Sequence, residues 1–184
     1  TYSQVYINSN GSISFGNGSI VYNNTVIPDQ GSPNNIIALF WDDLDPSSGG
    51  TIEYGTVGSS WVCSFVDVRE YGGDGTISAE VILTEDNEII LQYLELNNGI
   101  HIGGETIGIE NSNGIAGLMA SFDNNPGSYP QESLAIRFYQ IEPDASVSGI
   151  VIDQETQEPI SNAEVVFGAI STTTDSDGFY EQSE

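Results

Sequence analysis

The chain has 184 residues, of which 27 are acidic and two basic, Arg69 and Arg137, for a formal charge of −25. That balance excludes nucleic-acid binding, which needs Lys and Arg to displace phosphate counterions, and it disfavours docking on an anionic membrane. One cysteine, Cys63, leaves no internal disulfide, one histidine, His101, leaves no paired-histidine zinc motif, and no apolar run is long enough for a membrane-spanning helix, so no membrane insertion is expected.

Taken in chain order, the elements read as short strands between turn signals. "QVYIN" and "SISFG" flank "SNG" and predict a hairpin. "GSIVYNN" predicts another strand. "NNIIALFWDD" is nearly all apolar, as a strand buried on both faces must be. "GTIEYGTVG" and "SWVCSFVDVREY" follow, then the turn "GGDG". "TISAEVILTE" sets Ile77, Ala79, Val81 and Leu83 on one face. Asp86 and Asn87 are placed to turn the chain tightly into "EIILQYLEL", with Ile89, Leu91 and Tyr93 on one face. "ETIGIEN" and "GIAGLMASF" are two more strands, and "SLAIRFYQI" points Leu134, Ile136 and Phe138 inward. No segment has a sustained helical period.

The fold class expected is therefore all-β: a β-sandwich of about ten antiparallel strands over residues 1–140. Its core is expected to hold Phe15, Ile37, Leu39, Trp41, Phe65, Val81, Leu83, Leu91, Ile109, Ile136 and Phe138. "IEPDAS", residues 141–146, breaks the alternation and reads as a linker. Residues 147–184 read as the start of a second, small β-sandwich, and the chain as a piece of something longer.

"FWDDLDPSSGG", residues 40–50, packs Asp42, Asp43 and Asp45 into four positions where a buried strand leaves the sheet. Hard cations take several oxygen ligands from a flexible loop. Asp43, Asp45 and Ser47 alternate as the first ligands of a calcium loop do, and Gly49-Gly50 permits a sharp bend. The twelfth position counted from Asp43 is Tyr54, with Glu53 one short of it, so this is no EF-hand. The metal candidates are thus Asp42, Asp43, Asp45 and Glu53, with calcium the one cofactor to expect. The competing reading is a solvated turn in which Asp45 caps the bend before Pro46. A third is a catalytic carboxylate pair, Asp43 with Glu53 or with Glu110, but a chain this acidic offers many such pairs, and no enzyme activity is expected.

Exposed aromatics are the usual platform for sugars, and Trp61, Tyr71 and Tyr129 are the candidates here. Asp175 and Asp177 in "TDSDG" read as turn formers. A Cys63–His101 catalytic pair has no support beyond the presence of both residues.

Two family resemblances add to this reading. "VYINSNGSISFG", "IIALFWDDLDPSSGGTIEYG", "VILTEDNEIILQY" and "IGIENSNGIAG" follow the order of a β-rich module of secreted bacterial proteins, and the early half is similar to the nidogen-type extracellular domain. "SGIVIDQETQEPISNAEVVF" with "STTTDSDGFY" resembles the opening of a carboxypeptidase regulatory-like domain, a transthyretin-like sandwich. Gly149, Glu158-Pro159-Ile160, Ala163, Thr174-Asp175, Gly178 and Tyr180 carry that likeness. The resemblances imply an extracellular or cell-surface location, with a structural or adhesive accessory role beside a protease or adhesin. The partners implied are other domains of a parent chain, and an extracellular glycan or protein. The alternatives are a carbohydrate-binding module and an acid-pair hydrolase.

Overall fold

The structure, a computed structural model, describes residues 2–97, 99–123, 130–141, 146–167 and 170–183. The chain divides into two compact units, Thr1–Tyr139 and Gln140–Glu184. All described elements are strands, and no helix occurs among the described residues.

The first unit holds β1 (Val5–Asn8), β2 (Ser12–Phe15), β3 (Ile36–Trp41), β4 (Thr51–Val57), β5 (Ser60–Arg69), β6 (Thr76–Leu83), β7 (Ile89–Asn97), β8 (Thr106–Glu110), β9 (Gly117–Phe122) and β10 (Leu134–Phe138). They form two five-stranded antiparallel sheets, ordered β1-β2-β3-β8-β9 and β10-β7-β6-β5-β4. The apolar alternation explains the packing. Ile37, Leu39 and Ile107 from the first sheet meet Phe65, Ile77, Val81, Leu91 and Tyr93 from the second in one buried core. Phe15, Leu83, Ile109, Leu134 and Ile136 pack against it partly buried.

β3 is buried at every position, as its composition requires. Strict alternation would put Trp41 with Ile37 and Leu39 in the core between the sheets. Instead Trp41 lies in a second cluster with Ile27, Ile36 and Ala38. The reason is a bulge. The Gly11 carbonyl accepts hydrogen bonds from both Leu39 and Phe40 N–H at 3.0 Å, two residues against one. The parity flips there, so Phe40 faces the main core and Trp41 the other side. Gly11 sits at φ +74°, and a Cβ on it would stand 1.8 Å from the Phe40 oxygen.

The second cluster exists because residues 17–35 do not add a strand. "GSIVYNN" forms no ladder; its segment is a strap across the outer face of the first sheet. The Val21 carbonyl accepts from the Trp41 indole and from Asn8 Nδ2, each at 3.0 Å. Thr106 Oγ1 donates to the Thr25 carbonyl at 2.8 Å, and Asn24 Nδ2 donates to the Gly104 carbonyl at 2.6 Å. Side-chain anchors have thus taken the place of backbone pairing. The β6–β7 turn also differs from expectation. Leu83 pairs with Ile89 and Thr84 N–H bonds the Glu88 carbonyl, so three residues make the loop, with Asn87 at φ 60°.

In the second unit β11 (Ser146–Ile150) pairs with β14 (Phe179–Ser183), and β12 (Glu164–Phe167) with β13 (Ile170–Thr173). The Tyr180 ring lies 5.7 Å from that of Phe167, tilted by 45°, and a side chain at Gly149 would collide with the Tyr180 hydroxyl. Asp175 Oδ1 accepts from the N–H groups of Asp177 and Phe179 at 2.9 Å, and Gly178 takes φ +69°. Asp175 is thus a turn former. Of the expected linker, residues 142–145 lie outside the described residues.

Candidate functional site

Beyond Trp41 the chain leaves the sheet and pairs at once with the end of β5. Asp45 N–H donates to the Arg69 carbonyl at 2.7 Å, Tyr71 N–H donates to the Asp43 carbonyl at 2.8 Å, and Leu44 forms a bridge with Glu70. This docking carries Asp42 to Glu70. A third segment arrives from the β7–β8 connection. Its backbone passes so close that a Cβ on Gly75 would meet the Ile100 backbone at 2.3 Å, and His101 N–H bonds Glu70 Oε2 at 3.3 Å.

Three side chains converge there. Asp42, Glu70 and His101 each offer a ligand atom, and these atoms lie within 4.8 Å of one another, with Asp42 and Glu70 half-buried and His101 exposed. Gly104 backs the group: a Cβ on it would stand 2.7 Å from His101 Nδ1 and 3.4 Å from Asp42 Oδ2. Two carboxylates and an imidazole make a chelating set that suits zinc or manganese better than calcium.

Glu105 lies behind the group and is fully buried. Its Oε2 accepts from Gly103 N–H at 2.5 Å and its Oε1 from Ser121 Oγ at 3.0 Å. Burial pushes its carboxyl pKa up, against the hydrogen bonds from Gly103, Glu105 and Ser121, and the negative Asp42 adds to the rise. Burial and then Glu105 also drive the Tyr93 phenol well above its ordinary range.

The remaining candidates from the sequence fall elsewhere. Asp45 is committed to its turn, with Oδ1 accepting from Ser47 N–H at 3.0 Å, and the Ser47 and Ser48 hydroxyls hold its pKa low. Asp43 is raised by partial burial, then by Asp42 and Asp45, but it is not in the three-residue group. Glu53 is exposed on β4 opposite Ser64, seven residues along β5 from Tyr71, which puts it about 20 Å from Asp43 at the rise of a strand. Glu110 is the length of β3 away from Asp43, again about 20 Å. Paired carboxylates in glycoside hydrolysis stand roughly 5 to 9.5 Å apart, so neither pairing has that geometry.

The aromatics also separate. Trp61 and Tyr71 lie ten residues apart along β5 and beyond its end, roughly 30 Å. Trp61 packs against the core, and its ring neighbour is Tyr54, 6.4 Å away at 32° and 71% exposed. Tyr129 lies outside the described residues. Two concavities, of about 530 and 640 Å³, lie on the outer face of the second sheet and beside Phe15, Ile109 and Leu118, and neither is lined by Trp61 or Tyr71. Cys63 is sealed in the core, and burial pushes its thiol up to about 12, far from a nucleophile's range.

Glu70, His101 and Glu105 were not singled out as ligands from the sequence. Glu70 and His101 carry no local signal, because only the docking of three loops joins them to Asp42. Glu105 did carry one: it shares the parity of Ile107 and Ile109, which face the core.

A family model described as NIDO related matches residues 1–157, the first unit and the opening of the second. No curated protein and no solved structure matches the chain.

Proposed function

The chain belongs to the NIDO-related family, and on that premise we propose that it is a non-catalytic structural or adhesive module of a larger secreted or cell-surface bacterial protein. The observation that carries this is the family match over a ten-stranded sandwich whose suggested acid pairs stand about 20 Å apart. A chain with 27 acids and two arginines suits an exterior setting, where counterions screen its self-repulsion. The second unit is read as the opening of a carboxypeptidase regulatory-like sandwich, supported by the Gly149–Tyr180 contact and the Asp175 turn.

The finer part of the reading is a bound cation. Calcium is the ion expected of so many carboxylates; the Asp42–Glu70–His101 group adds an imidazole, which zinc or manganese takes more readily.

The purified chain is expected to turn over no substrate in a panel of glycosides and peptides. It is also expected to run unretarded in gels cast with polysaccharide. Turnover lost on Asp43→Asn would establish the hydrolase reading instead. Retardation abolished by Tyr54→Ala would establish a carbohydrate-binding module, the reading favoured by the exposed Tyr54 beside Trp61.

A further inference from the structure

The strap carries a second set of oxygens, far from the Asp42 group. Glu110, at the end of β8, is 7% exposed. Its Oε2 accepts from Asp29 N–H at 2.6 Å, while its Oε1 is inaccessible to solvent and has no hydrogen-bond partner among the described residues. Asn34 Oδ1 is in the same condition. The Asn34 amide is oriented by its other end, where Nδ2 donates to the Gln30 carbonyl at 3.4 Å. Turning the amide over would set two carbonyl oxygens against each other.

Glu110 and Asn34 both approach the Asp29 backbone, the first through the Asp29 N–H and the second beside the Asp29 carbonyl. The Asp29 carbonyl and Asn34 Oδ1 crowd one point, 2.1 and 2.5 Å from where a Cβ on Gly114 would stand. Gly114, at φ +64° and without a side chain, lets both oxygens come this close to its backbone. The Asp29 carboxylate is close enough to act on Glu110 electrostatically. Neither arginine supplies a counter-charge: Arg69 pairs with Asp74 and Arg137 with Glu88.

Buried acceptors without donors call for a donor or a cation. The set is all oxygen, from a carboxylate, a side-chain amide and a main-chain carbonyl on irregular backbone, with no imidazole or thiolate. That is the chemistry of calcium rather than of a softer metal. We propose that Glu110, Asn34 and Asp29 form a calcium site that fastens the 17–35 strap to the β8–β9 end of the first sheet. The site is independent of the Asp42 group and does not rest on the reading of the chain as an accessory module. Occupancy joins the strap to the sheet through Glu110 Oε1, so calcium stabilises the strap's contacts.

The test is a set of thermal melts with EDTA, with calcium chloride, and with sodium chloride at matched ionic strength. In the wild type, calcium is expected to raise the melting temperature beyond the sodium control. Glu110→Gln is expected to abolish that excess, and Asp86→Asn, which removes a charge at the exposed β6–β7 loop, to leave it intact. Asn34→Asp adds a carboxylate to the set without changing its size, and is expected to shift the calcium midpoint about tenfold lower while leaving the chain folded. Equal shifts in calcium and sodium overturn the proposal. So does a calcium shift retained in Glu110→Gln but lost in Asp42→Asn, which would place the ion at the other group. An Asn34→Asp midpoint equal to wild type also overturns it, because residue 34 is then no ligand.

Discussion

Tyr93, on β7 of the second sheet, donates its phenolic hydrogen to the Leu39 carbonyl on β3 of the first, at 2.5 Å and fully buried. Leu39 lies within the β3 bulge, where the ladder to β8 is interrupted. The cross-sheet bond thus serves an oxygen that the bulge withdraws from its strand neighbour. Tyr93→Phe keeps the ring and removes the donor. It is expected to cost about 1–2 kcal/mol, read as a lower denaturant midpoint with an unchanged slope.

Glu105 makes stability depend on pH in an unusual direction for a carboxylate. Its folded pKa is raised, chiefly by burial. The folded state therefore holds the proton to higher pH than the unfolded chain does. The contribution of Glu105 to stability is fully present below the ordinary carboxylate range and is lost as pH rises through the raised folded value. Glu105→Gln keeps an oxygen for Gly103 N–H and can donate to the Ser121 hydroxyl. Its stability is expected to vary less with pH over that window. Self-repulsion of the acidic surface is common to both proteins, so denaturation of the pair in high salt isolates Glu105.

Trp41 is the anchor of the strap, through its ring in the outer cluster and its indole bond to Val21. Trp41→Ala is expected to cost about 3–5 kcal/mol. Limited proteolysis is expected to cut within residues 17–35 before any site in the two sheets.

At the loop end, zinc or manganese is expected to raise the melting temperature of the wild type. His101→Ala is expected to reduce that rise, because it removes the one imidazole from the group. The calcium response is expected to survive His101→Ala. Titration of both proteins by calorimetry with each metal checks the distinction.

The architecture was legible from alternation. Ile77, Ala79 and Val81 on β6, and Leu91 and Tyr93 on β7, face the core as their spacing requires. What escaped was set by events that leave no periodic trace. A bulge opposite Gly11 exchanged the faces of Phe40 and Trp41. "GSIVYNN" has the composition of a strand, yet its partners are the side chains of Asn8 and Trp41 rather than a strand edge. Of the acidic stretch, Asp42 at the sheet exit is the residue that falls in the three-residue group. Its companions, Glu70 and His101, come from distant loops, and sequence spacing carries no record of that meeting.

β4 closes one side of the second sheet, with β5 its one neighbour in the sheet order among the described residues. Its outward backbone edge is seven residues long, with Tyr54 and Val57 largely exposed and Glu53 its one charge. Such an edge is a template for another chain. The barrier to such pairing is global rather than local: two molecules approaching edge to edge each bring a charge of −25. In 1 M salt the screening length shrinks to about 3 Å, and that barrier is gone at the distance where strands pair. Brine is therefore expected to act twice on this protein, screening the repulsion within each molecule while removing the colloidal guard between molecules.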